Sequence, residues 1–110
     1  MEGPVKGDVV VLPFPFSDLT KATRRPALVL TVLPGDDVIL CQITSAQTRD
    51  TDAVAVGPSD FAQGGLSRPS HVRPNHIFTA ARQILLYRAG RLSPTKLAEI
   101  LEKAVEILRR

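Results

Sequence analysis

Apolar residues in this chain fall first into short, nearly unbroken blocks and only at the end into a spaced stripe. The blocks are Val9–Leu12, Ala27–Leu33, Val38–Ile43, Ala53–Val56 and Ile84–Tyr87, with a further cluster at Val72 and Ile77-Phe78. Most are bounded on at least one side by glycine, proline or aspartate, the punctuation of short strands. Ala27–Leu33 and Val38–Ile43 flank Pro34-Gly35-Asp36-Asp37 and read as a hairpin. Their near-continuous apolarity predicts burial on both faces, as in a small closed barrel or a sheet covered by a helix. Pro13-Phe14-Pro15-Phe16 is expected to end the pairing of the first strand, because neither proline can donate to a ladder. Ser17–Thr23 and Ala46–Asp52 read as polar loops. Gly57–Gly65 reads as turn-rich, with one helical turn at Ser59–Ala62. Leu66–Thr79 reads as one or two strands interrupted at Pro74, and Ile84–Tyr87 as a last strand followed by Gly90.

The stripe is Leu97, Ile100, Leu101, Ala104, Val105 and Leu108, spaced by threes and fours. That is the apolar face of an amphipathic helix about 25 Å long. Ser93 is placed to cap it and Pro94 to occupy its first position. Several short strands and one terminal helix predict a mainly β fold, a small β-barrel or curled sheet closed on one side by the helix. At 110 residues the chain is read as one domain, residues 1–110.

Composition narrows the function. No run approaches a membrane span and no signal-peptide core opens the chain, so the expected location is the cytoplasm. The single cysteine, Cys41, lies in an apolar block and is read as a core residue. The formal net charge is only +3, but no Asp or Glu occurs from Phe61 to Ala98, where Arg68, Arg73, Arg82, Arg88, Arg91 and Lys96 all fall. A one-signed half points to an anionic partner, nucleic acid first. Ten of the 14 basic residues are arginine, which favours planar phosphate recognition.

The candidate chemistry follows the same lines. His71 and His76 are the only histidines, with no carboxylate between them, and no cysteine cluster, His-Glu-x-x-His or Walker loop occurs. No metal and no cofactor is expected. A two-histidine acid–base pair for RNA cleavage stays open. A Ser/His/Asp triad drawn from Ser45, Ser70, His71 and Asp18 has no nucleophile-elbow sequence around either serine. Arginine and hydroxyl chemistry on phosphate remains. RNA cleaved through its own 2′-OH needs in-line geometry, charge stabilisation and proton transfer, but no enzyme nucleophile. Arg25 and Arg68 can supply charge, and Thr44 and Ser45 can hydrogen-bond phosphate oxygens. An aromatic content of 5% favours base readout by hydrogen bonds over broad stacking.

An ordered set of segments carries a resemblance. Gly7-Asp8-Val9-Val10, Pro13-Phe14, Arg25-Pro26-Ala27-Leu28-Val29-Leu30 and Ile43-Thr44-Ser45, followed by Gly65-Leu66-Ser67-Arg68-Pro69-Ser70-His71-Val72 and Gly90-Arg91-Leu92-Ser93, resemble the PemK/MazF (Kid) family of toxins from type II toxin–antitoxin modules. The resemblance implies a PemK-like (SH3-like) β-barrel and a homodimer. It implies metal-independent, sequence-specific endoribonuclease activity on single-stranded RNA, chiefly mRNA, leaving 2′,3′-cyclic phosphate and 5′-hydroxyl ends. It also implies a cognate acidic antitoxin that lies across the RNA groove. Matched residue by residue, it makes Arg25, Thr44 and Arg68 the catalytic residues. Ser45, Ser70, His71, Arg73 and Asp18 are the RNA-binding candidates. Ser70 stands where the Kid branch carries an aspartate proposed as base, so either another group takes that proton, with His71 and Asp18 as the candidates, or the activity is weak. The alternative on the same fold is a non-catalytic RNA-binding or gyrase-targeting toxin.

Overall fold

The computed structural model describes residues 3–14 and 23–110. The apolar blocks become strands of one antiparallel sheet: β1 (Asp8–Phe14), β2 (Thr23–Val32), β3 (Asp37–Thr44), β4 (Val54–Val56), β5 (Phe61–Gly64), β6 (Ser70–Ala81) and β7 (Tyr87–Leu92). The apolar stripe becomes α1 (Pro94–Leu108), started by Ser93, whose Oγ accepts from the Lys96 backbone N–H at 3.2 Å. Strand order is β4-β6-β3-β2-β1-β7-β5. Among the described residues β4 and β5, at the two ends of that order, do not pair, so the sheet is a curled half-barrel.

Both faces of the central strands are buried, as their continuous apolar runs require. Val9, Leu28, Cys41, Ile43 and Val72 form one cluster with Ile100 of α1, while Val10, Leu12, Ala27, Val29 and Leu40 form another on the opposite face. Consecutive residues thus alternate between two cores. Burial pushes the Cys41 thiol up to about 12, which leaves it protonated and inert.

Several boundaries differ from the sequence expectation. Pro13 does not end β1: it lies opposite Arg24, and Phe14 lies opposite Thr23. Pairing of β1 with β7 stops at Val11–Tyr87, so Pro13 has a neighbour on one side only and its missing N–H breaks no ladder. Pro74 does not split β6 either. The register steps from Gln42–Arg73 to Cys41–Ile77, so residues 74–76 form a bulge that absorbs the proline. Gly57–Gly65 holds strand β5 as well as turns, and its short helix covers Pro58–Asp60. Ile84 ends a turn of 3-10 helix rather than opening a strand. Gly90 lies inside β7, opposite Gly64. There the two backbones approach too closely for a side chain: a Cβ on Gly90 would stand 2.6 Å from the Gln63 carbonyl oxygen.

Asp8 ties the first strand to the last. It is fully buried, accepts from the Val5 backbone N–H at 2.9 Å and from Arg91 Nε at 3.0 Å, and has Arg88 at 3.8 Å. Replacing it with Ala leaves the Val5 N–H without its acceptor and Arg91 without its counter-charge. Asp8→Ala is expected to cost about 2–3 kcal/mol in urea unfolding, the scale of hydrogen bonds to a charged group. Gly90→Ala is expected to cost about 1–3 kcal/mol by overpacking. Unchanged midpoints for either variant would show that these contacts do not hold β7 to the sheet.

Candidate functional site

Three strand ends meet at one edge of the sheet: the start of β2, the end of β3 and the start of β6. Strand alternation then sorts their polar residues onto two faces. On β6 His71 lies opposite Thr44 of β3, and Ala55 of β4 lies beyond it. Ala27 lies opposite Gln42, so continuing that register by two residues brings Arg25 level with Thr44. The row His71, Thr44, Arg25 therefore shares one face. Thr44 Oγ1 accepts from the Ala46 backbone N–H at 3.1 Å, which leaves its hydroxyl proton to be donated elsewhere. Nδ1 of His71 is buried without a hydrogen-bond partner. Arg25 is exposed.

The other face carries a groove of about 300 Å³. Arg24, Ser45, Ser67, Arg68 and Ser70 line it together with Tyr87, Val11, Pro26 and Leu66, and among the described residues no carboxylate lines it. The groove thus gathers Ser45, Arg68 and Ser70 but takes Arg24 in place of Arg25. Ser70 is almost wholly buried, and its Oγ donates to the Arg68 carbonyl at 3.0 Å. That bond spends the hydroxyl on shaping the Arg68 turn, so Ser70 is not poised to receive a proton. Arg24, Ser67 and Tyr87 escaped the sequence reading. The signal for Arg24 was there: period-two alternation puts it on the side of Pro26 and Leu28, away from Arg25.

Arg73 lies apart from both groups. Its Nε donates to Asp50 at 3.1 Å, and Asn75 Nδ2 donates to the same carboxylate oxygen at 2.9 Å. Asp50 belongs to the loop between β3 and β4, so Arg73 anchors that loop to β6. Two residues on, Asp52 accepts from both terminal nitrogens of Arg110 at 2.7 and 3.0 Å, which ties the same loop to the end of α1. His76 sits exposed in the β6 bulge. Asp18 lies outside the described residues.

The family model for PemK-like, MazF-like toxins of type II toxin–antitoxin systems matches residues 5–108. This chain belongs to that family. Among solved structures, MazF from Deinococcus radiodurans is 23% identical with a TM-score of 0.74, over 97% of this chain and 97% of that one. The Mycobacterium tuberculosis toxin MazF-mt6 is 25% identical with a TM-score of 0.66, over 91% of this chain and 93% of that one. An endoribonuclease in complex with its cognate antitoxin, from a mycobacterial species, is 22% identical with a TM-score of 0.69, over 97% and 93%. Comparison with curated protein sequences gives no match. The half-barrel with its C-terminal helix is thus the MazF/PemK fold, and no described helix is long and apolar enough to cross a membrane.

In this PemK-like chain the loop after Thr44 is held by charge. The hydrogen bond from Asn75, with those from the Asp52 backbone and Arg73, keeps the Asp50 carboxyl below its ordinary range. A carboxylate with a lowered folded value adds stability that is whole above its unfolded value of about 4 and is lost as pH falls through the folded one. Asp50→Asn is therefore expected to melt below wild type at pH 7 and to converge with it in acid. A gap that persists at low pH would mean that the ionised carboxylate is not what anchors the loop.

Proposed function

We propose that this chain is an endoribonuclease that cuts single-stranded RNA, chiefly mRNA, at short sequences by attack of the RNA's own 2′-oxygen. The row His71, Thr44, Arg25 is the observation that carries this reading. It offers a base, a hydroxyl donor and a cation on one face of a rigid sheet end. In this reading the His71 imidazole takes the 2′-OH proton, and the 2′-oxygen forms its bond to phosphorus as the bond to the 5′-oxygen breaks. Arg25 and Thr44 stabilise the negative charge that builds on the phosphate oxygens. The leaving 5′-oxygen takes a proton from water. The ends left are a 2′,3′-cyclic phosphate and a 5′-hydroxyl. Positive charge comes from arginine, so the reaction as drawn needs no metal.

His71 here does the work that Ser70 cannot. A neutral imidazole is the side chain suited to accept a proton near neutrality, and alternation puts it beside Thr44. The neighbouring groove, with Arg24, Arg68 and Ser45, is placed to hold the adjoining stretch of RNA. Two further parts of the reading rest on the family. The chain acts as a homodimer, and an acidic antitoxin covers the basic sheet end. Complexes with antitoxin among the structural neighbours support that partner. Such a complex is expected to weaken with salt.

The test is incubation of purified, antitoxin-free protein with a long defined RNA in excess EDTA, followed by mapping of the fragment ends. Discrete cuts bearing cyclic phosphate are expected, and intact RNA from folded protein would overturn the reading. Arg25→Ala is expected to slow cleavage by roughly a hundredfold or more. His71→Ala is expected to lose roughly a hundred- to ten-thousandfold, with partial recovery on adding free imidazole. A His71→Ala protein that cuts at the wild-type rate would remove the histidine from the chemistry.

A further inference from the structure

Tyr87 is the only tyrosine of a chain that has no tryptophan, and it stands at the mouth of the groove with about half of its surface exposed. The other described aromatic rings are placed differently. Phe14 and Phe78 pack on each other with centroids 5.8 Å apart, and Phe61 packs against the core under α1. Tyr87 lies opposite Val11 on β1, and Val11 lies opposite Pro26 on β2, so the ring stands at the end of an apolar floor. Arg24, Arg68, Ser45 and Ser67 line the same groove. An aromatic face beside paired guanidinium groups is the combination that takes an unpaired nucleobase together with its phosphate. The volume, about 300 Å³, lies at the small end of ligand pockets and suits one nucleotide rather than a folded helix.

We infer that this groove is a nucleotide subsite, in which Tyr87 stacks one splayed base of single-stranded RNA beside the cut while Arg24 and Arg68 hold its phosphate. The inference deepens the endoribonuclease reading and rests on it for the identity of the ligand. It assigns work to Arg24 and Tyr87, and it separates binding on the groove face from proton transfer on the His71 face. An acidic peptide is the competing occupant. Serine hydroxyls and two planar guanidinium forks around one ring favour phosphate and base over a chain of carboxylates.

Because Tyr87 is the sole tyrosine and tryptophan is absent, the protein's intrinsic emission reports this one position. The experiment titrates the full chain with a short single-stranded RNA made uncleavable by 2′-O-methyl groups at every position. Tyrosine emission and the anisotropy of a dye on the RNA are read together. Quenching that tracks binding is expected, and it should vanish when the base at one flanking position is removed while the backbone is kept. Tyr87→Ala is expected to weaken binding roughly five- to 150-fold, the range for loss of one base–aromatic stack, whereas Tyr87→Phe retains affinity. Binding without quenching, or wild-type affinity in Tyr87→Ala, overturns the subsite. Quenching by an acidic peptide but not by RNA overturns it in favour of a peptide site. Failure of the nuclease reading looks different: RNA binds and quenches, yet the cleavable version stays intact in the end-mapping assay.

Discussion

The strict two-residue alternation of a strand, imposed on strands whose faces are both buried, governs this molecule. Because Leu28 and Val29 must enter different cores, Arg24 and Arg25 must leave the sheet on different sides. The same rule separates Thr44 from Ser45 and His71 from Ser70. A slip of one residue in β3 would exchange its two faces and carry Asp37 toward the buried place of Val38, so the register is fixed by burial far from the site. What the buried middle of the hairpin determines, the exposed ends display.

Charge is distributed by the same economy. Asp8, Asp50, Asp52 and Asp60 each meet a cation: Arg91, Arg73, Arg110 and Lys96 respectively. These pairs join β7 to β1, the β3–β4 loop to β6 and to the helix, and the turn before β5 to the start of α1. Among the described residues Arg24, Arg25 and Arg68 take part in no ion pair. These four acids thus do structural work away from the strand ends, and the arginines at those ends are left with their charge uncompensated by a described acid. A modest net charge hides this division, since it counts paired and unpaired arginines alike.

Much of the architecture was legible because it rests on local chemistry. The hairpin, the cap at Ser93 and the helix stripe depend on residues near in sequence. The readings that moved depended on neighbours that the sequence does not name. Pro13 stays in β1 because β7 has already stopped pairing there, and Pro74 stays in β6 because a bulge opens opposite Cys41 and Gln42. Gly90 looked like a terminator but is the point where β5 crosses β7 at backbone contact. At the site, matching motif letters led to Arg25, Thr44, Ser45, Arg68 and Ser70. It could not find Tyr87, which reaches the groove through β1, a strand more than seventy residues earlier.

In the proposed reading, serine at position 70 shifts a task across the sheet without changing the fold. An aspartate at this position would be a carboxylate in a nearly closed place, next to the Arg68 turn. Serine instead closes that turn with a neutral hydrogen bond to the Arg68 carbonyl, and among the described residues the groove is left without a carboxylate. A groove without a carboxylate holds a phosphate better but has no proton acceptor. Among the described residues the next one, His71, is able to accept one, and alternation sends it to the face where Thr44 and Arg25 stand. In the proposed reading, binding and proton transfer, which a single acidic residue would combine, are divided between two faces of three strand ends. An RNA that used both would have to bend over the edge of the sheet.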